Sequence, residues 1–210
     1  MGKLHSGAPV LPFLFNSLWP GLVIWLLLHM SDYALTITCA KLYRAGVSDK
    51  IVFEGSFELN PVFQRDVDAL KKISWRFIFM WIFTGALLSF IWVLTSQVNR
   101  DLYVFVLGSW ILLELTVHVR HLRNLSLFLG FRDPNAVRGR IEYTRAFILR
   151  NSAAELFVFS ALYLAIFAFT QSWFLLGGAV TCLFTGVKHS VLARAAQAKA
   201  MAPVEMQTTA

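Results

Sequence analysis

Cysteine is nearly missing from this chain: Cys39 and Cys182 are the only two, they sit in separate apolar stretches, and neither has a C-x-x-C partner. That excludes a disulfide framework and a cysteine-type structural zinc site. Charge is also scarce, at 15% of residues, and acid is scarcer than base, with 12 Asp and Glu against 19 Lys and Arg. There is no internal repeat, and no polar stretch is long enough for a separate soluble domain. What fills the 210 residues is apolar side chain, 57% of the total. Soluble domains average roughly 45 to 50%, so the bilayer is the solvent this composition calls for.

Five runs reach the roughly 20 residues needed to cross a hydrocarbon core: 19–43, 73–95, 102–122, 151–171 and 173–194. The sequence therefore predicts an all-α, polytopic membrane helix bundle of five spans, a single domain over 1–200 with a loose polar tail over 201–210. The first run has no small-residue cleavage site and continues through Asp32, so it reads as a retained span and not a removed signal peptide. Met1-Gly2-Lys3-Leu4-His5-Ser6 matches a myristoylation pattern, which needs a cytosolic N-terminus.

The net charge of +7 sits in connections and at span ends and forms no basic face with interleaved aromatics, which argues against nucleic acid. Only Lys3 and Arg100 fall on one side of the five-span arrangement, and every other Lys and Arg falls on the opposite side. By the positive-inside rule the N-terminus is outside and the C-terminus cytoplasmic, in a plasma or inner membrane; this orientation contradicts the myristoylation match. Several of the seven Trp lie near span ends, as an interfacial belt requires.

The first connection holds a helix start, Asn60 as cap and Pro61 at the first helical position. A short helix over 61–72 is expected along the cytoplasmic surface, preceded by an aromatic and acidic loop over 53–59, interfacial or re-entrant. The third connection carries an Asp133-Pro134-Asn135 turn signal. Its arginines, Arg138, Arg140 and Arg145, are candidates for holding anionic lipid headgroups. Gly177, Gly178 and Ala179 mark a place where helices approach closely.

Ionisable groups inside spans are costly and point to function. Glu114, His118 and His121 follow at intervals of four and three, which places them on one helix face. Asp32, with His29 and Thr36, marks the first span; Glu155 and Asn151 mark the fourth; Thr185, Lys188 and His189 mark the fifth. Counting about 1.5 Å per residue from the cytoplasmic ends puts these groups in the same half of the membrane. Spans one, three, four and five are thus expected to meet around a cytoplasm-facing cavity, with Asp32 at its floor, Glu114 and His118 on its wall and His121 at its mouth. Arg120 and Arg123 read as surface anchors.

Three uses of this set compete. As a metal site, Glu114, His118, His121 and His189 would be ligands to zinc or iron, with Asp32 or Glu155 as the base. As an ion or proton path, Asp32, Glu114, His118, Glu155 and His189 would be the steps. The bare outer halves of the spans would then need water, backbone carbonyls or a homo-oligomeric contact. As a structural set, Glu114 and Glu155 would pair with Arg150 or Lys188, and the histidines would clamp helices.

Asp32-x-x-x-Thr36 followed by Glu58-x-Asn60-Pro61 resembles a pattern found in small, uncharacterised prokaryotic multi-span membrane proteins. The resemblance covers the first third of the chain and departs from the pattern in the long insert between Thr36 and Glu58. It implies that Asp32, Glu58 and Asn60 belong together, and it assigns no activity. The leading expectation is binding or conduction of a small cation, proton or divalent metal. The alternatives are a metal-dependent enzyme acting on a lipid-like substrate and an accessory subunit without a site.

Overall fold

A computed structural model describes residues 12–133, 136 and 138–201. The N-terminal myristoylation match, Pro134 and Asn135 of the turn signal, and residues 202–210 of the tail lie outside the described residues. Among the described residues seven α-helices follow in chain order: α1 (Pro12–Asn16), α2 (Leu18–Arg44), α3 (Pro61–Asp68), α4 (Trp75–Thr95), α5 (Arg100–Gly130), α6 (Arg145–Thr170) and α7 (Trp173–Met201), with two three-residue strands, β1 (Ile51–Phe53) and β2 (Ile141–Tyr143). Helices α2, α4, α5, α6 and α7 are each long and apolar enough to cross a membrane. The protein is a multi-pass helical bundle.

Most of these helices outrun their apolar cores. α5 ends at Gly130, eight residues beyond the hydropathy boundary at Leu122, and its 31 residues span about 46 Å against a hydrocarbon core of about 30 Å. Hydropathy marks only the lipid-matched part of a helix, and the polar continuation is held by packing. Local chemistry sets several starts: Asn60, Ser74, Asn99 and Thr144 each accept an N-terminal backbone N–H through a side-chain oxygen.

The helices pack in the lateral order α4, α2, α5, α7, α6. The α5–α7 contact depends on missing side chains: a Cβ on Gly108 would stand 2.0 Å from the Phe174 carbonyl oxygen, and one on Gly177 2.0 Å from that of Phe105. Gly178 lies against Leu112 in the same seam, which gives the Gly177-Gly178 pair the close-approach role expected of it. On the far side, α4 turns Phe79, Ile82, Phe83, Phe90 and Val93 outward, a surface suited to lipid.

The first and third connections form one cap. β1 and β2 pair in parallel, Ile51 opposite Ile141 and Phe53 opposite Tyr143. Beneath them Cys39, Val47, Ile51 and Phe128 are buried among Tyr43, Phe57 and Tyr143. The 53–59 segment is thereby a loop docked on the ends of α2 and α5. α3 is held to α4 through Asp66, which accepts from Lys71 Nζ at 2.8 Å and from Ser74 Oγ at 2.5 Å, while Tyr33 of α2 donates to the Lys71 carbonyl at 2.9 Å.

Candidate functional site

Under this cap lies a cavity of about 570 Å³ lined by α2, α5, α6, α7 and the loop that carries Glu58 and Asn60. Its walls are amphipathic: Leu113, Val117, Leu156 and Leu192 alternate with Asp32, Glu114, Arg120 and Lys188. The apolar part follows from the helices being membrane spans, and the polar part comes from the few ionisable residues that sequence analysis singles out.

At one end, α2 and α5 exchange a ladder of polar contacts. His29 Nδ1 donates to Glu114 Oε1 at 2.7 Å, and its ring is stacked between Trp25 and Phe77, with centroids 5.1 and 5.2 Å away. His118 Nδ1 lies 2.7 Å from the Glu114 carbonyl oxygen and so carries the hydrogen, while Nε2 faces Ser31 Oγ at 2.6 Å. One turn on, His121 Nε2 lies 3.0 Å from Asp32 Oδ1 and 3.2 Å from Thr36 Oγ1. The Thr36 contact has hydrogen-bond direction, whereas the approach to Asp32 is an ion-pair distance without it, so Asp32 Oδ1 keeps no hydrogen-bond partner.

Asp32, Glu114 and His118 bring one ligand atom each to within 4.8 Å of one another. Four buried polar atoms among the residues lining the cavity have no hydrogen-bond partner: His29 Nε2, Asp32 Oδ1, Arg120 Nη2 and His121 Nδ1. Buried polar groups are normally paired, because an unpaired one costs about 1 to 3 kcal/mol. Four of the five such atoms among the described residues belong to this cavity's lining, the fifth being the Tyr103 hydroxyl.

Glu58 enters from the cap. Its Oε1 accepts the Asn60 backbone N–H at 2.6 Å, and Asn60 Oδ1 in turn caps α3. Burial pushes the Glu58 carboxyl above its usual range, opposed by the Asn60 bond and reinforced by the charge of Asp32. Glu58, Asn60 and Asp32 all line the cavity.

Another part of the lining is basic. Arg120 Nε bonds Glu155 Oε2 at 2.5 Å, and Arg123 approaches Glu155 Oε1 at 3.5 Å. Lys188 lines the cavity, and among the described residues it has no ion-pair partner.

Several expectations require correction. Glu155 pairs with Arg120 and Arg123, not with Arg150 or Lys188, because α5 presents both guanidiniums to α6; Arg150 instead reaches Gln197. Arg120 is therefore an interior residue, with a side chain only 14% exposed, and not a surface anchor. His121 is buried and lines the cavity, whereas His118 lies behind it against α2; the rotation of α5 takes His118 off the expected wall and turns His121 inward. His189 lines the cavity, but its Nδ1 is bound to Ser152 Oγ at 2.8 Å, and it is absent from the close group formed by Asp32, Glu114 and His118.

The cap arginines are also redirected. Arg145 donates to the carbonyls of Ser56 and Leu59, and its backbone N–H donates to Glu54; it clasps the loop instead of facing headgroups. Arg140 pairs with Glu142, and Arg138 is exposed. His29, which shares a face of α2 with Asp32 and Thr36, is the residue that binds Glu114. The intervals from His29 to Asp32 and Thr36 were the available signal for its place facing α5.

The fold and site define a class: a multi-pass membrane protein with an acid and histidine cavity inside its helical bundle. No known family model, curated protein or solved structure matches the chain.

Proposed function

We propose that this protein binds a divalent cation, zinc or ferrous iron, on Asp32, Glu114 and His118, between α2 and α5 at the edge of the cavity that Asp32 and Glu114 line. The observation that carries the reading is the convergence of the three ligand atoms within 4.8 Å from two separate helices. The ligand chemistry supports it, since two carboxylates and an imidazole suit borderline divalent metals. So does the shell behind them. The Glu114 carbonyl fixes the His118 ring through Nδ1, Nε2 exchanges its Ser31 Oγ contact for the metal, and His29 orients Glu114.

In this reading His121 positions Asp32, and Glu155 and His189 are not ligands. The charge asymmetry of the connections supports an N-terminus outside and a C-terminus in the cytoplasm, with the cavity facing the cytoplasm. Ion handling is the role this site best serves. One observation favours a second role, metal-dependent chemistry on a lipid-like substrate: about 570 Å³ is far more room than a cation requires and falls within the range of small-molecule sites.

Metal analysis of protein purified without chelators tests the proposal. Wild type and His189→Ala are expected to hold one equivalent of zinc or iron, and His118→Ala to lose it. Equal metal in wild type and His118→Ala would overturn the assignment. Cation flux in liposomes, compared with Glu114→Gln and Asp32→Asn, separates transport from static binding.

A further inference from the structure

The basic wall is not explained by a cation site. Arg120, Arg123 and Lys188 face the cavity, and Glu155 is the carboxylate that α6 sets against them. Three cations meet one acid here, while Asp32, Glu58 and Glu114 line the rest of the same cavity. Arg120 spends its Nε on Glu155 and keeps Nη2 buried and unpaired. Arg123 holds Glu155 only at 3.5 Å and is half exposed. Lys188 has no ion-pair partner among the described residues. Guanidinium groups placed this way are built to accept an oxyanion through parallel N–H donors.

We propose that the cavity binds a single-chain amphiphile with a phosphate monoester head. The head sits on Arg120, Arg123 and Lys188, and the chain lies along Leu113, Val117, Leu156 and Leu192. A phosphate monoester carries about −1.5 to −2 charges near neutrality, enough to engage Arg123 and Lys188 together; a fatty carboxylate supplies half of that. The chain is required by the apolar wall, which belongs to α5, α6 and α7. α6 packs chiefly on α7, and α2 on α5, so the helices α2 and α6 that both line the cavity leave room for it between them.

This inference extends the cation reading and rests on it at one point. Asp32, Glu58 and Glu114 repel phosphate from the acidic end, and a bound divalent cation removes that repulsion. Metal and phosphate amphiphile therefore favour each other's binding.

Native mass spectrometry of the full chain in a non-ionic detergent reads both ligands from one spectrum. The probes are dodecyl phosphate, dodecanol and inorganic phosphate, each with and without zinc. A single dodecyl phosphate adduct is expected, strengthened by zinc and weakened at least tenfold, about 1.4 kcal/mol, in Lys188→Gln and in Arg123→Gln, both of which keep wild-type metal content. Dodecanol binding as tightly as dodecyl phosphate would overturn the proposal by making the cavity merely apolar. Inorganic phosphate binding as tightly would overturn it in favour of a free phosphate site. Unchanged dodecyl phosphate binding in both variants, with metal retained, overturns the phosphate assignment and leaves the cation reading standing. Metal absent from wild type overturns the cation reading alone, and the variants still decide the phosphate site.

Discussion

Asp66 shows how one carboxylate ties local structure to the site. It is buried between Lys71 and the Ser74 hydroxyl, and Ser74 uses its oxygen in turn to cap α4 through the Phe77 N–H. Those two hydrogen bonds favour the ionised form and hold the Asp66 carboxyl below its usual range. A depressed folded value means that the contribution to stability is fully present above the unfolded pKa, about 3.9, and is lost as pH falls through the folded value. Asp66→Asn is accordingly expected to lower Tm at neutral pH. The gap from wild type should close as the pH is taken below 4, in thermal unfolding followed by tryptophan fluorescence. A gap that stays constant down to that pH would assign the effect to packing and not to charge. Because α3 follows directly on Asn60, the same substitution loosens the end of the loop that brings Glu58 to the cavity.

At the scale of elements, the α5–α7 seam decides where the site can form. α5 carries Glu114, His118, Arg120 and His121, and its angle to α7 is fixed by two positions where backbone meets backbone, Gly108 on Phe174 and Gly177 on Phe105. A methyl group 2.0 Å from a carbonyl oxygen cannot be relieved by turning a side chain, so the helices must separate. Overpacking of ordinary cores costs about 1 to 3 kcal/mol. Gly108→Ala and Gly177→Ala are each expected to reach or exceed the top of that range, measured as loss of thermal stability in lipid nanodiscs, while Gly130→Ala, which meets open space, changes little. The Gly177-Gly178 pair was legible in the sequence because small residues inside an apolar run have few other uses. The rotation of α5 was not, since it depends on which partner its glycines meet, and with it went the positions of His118 and His121. The pairing of β1 with β2 was hidden for a related reason: three-residue strands some ninety positions apart carry no local signal. The polar end of α5 after Leu122 was hidden because hydropathy follows lipid contact and not helicity.

At the scale of the whole molecule, charge bears on which side of the membrane the cap and cavity face. Five spans were readable because each is a long apolar run, and depth counting put Asp32 and Glu114 in the same half of the membrane; both line the cavity. The charge distribution makes a specific demand on orientation. The cap contains the first and third connections, with Arg65, Lys72, Arg132 and Arg140, whereas the second connection at Ser96–Asn99 is followed only by Arg100 and the α6–α7 turn at Gln171–Ser172 has no basic residue. A chain inserted by the positive-inside rule leaves the cap in the cytoplasm. The two native cysteines are free and buried, so single cysteines introduced at exposed positions report almost alone. In intact cells, a membrane-impermeant maleimide is expected to label Gln97→Cys and Gln171→Cys strongly and Arg138→Cys only after permeabilisation. The reverse pattern would put the cavity on the outer face, where the metal and phosphate ligands would have to come from outside the cell. Equal labelling of all three positions in intact cells would contradict a single fixed orientation. Labelling of Glu58→Cys extends the measurement to the cavity itself. It should follow the side of Arg138→Cys but react more slowly, because position 58 is half-buried under the loop that Arg145 clasps, and adding Arg145→Ala should speed it by releasing that clasp.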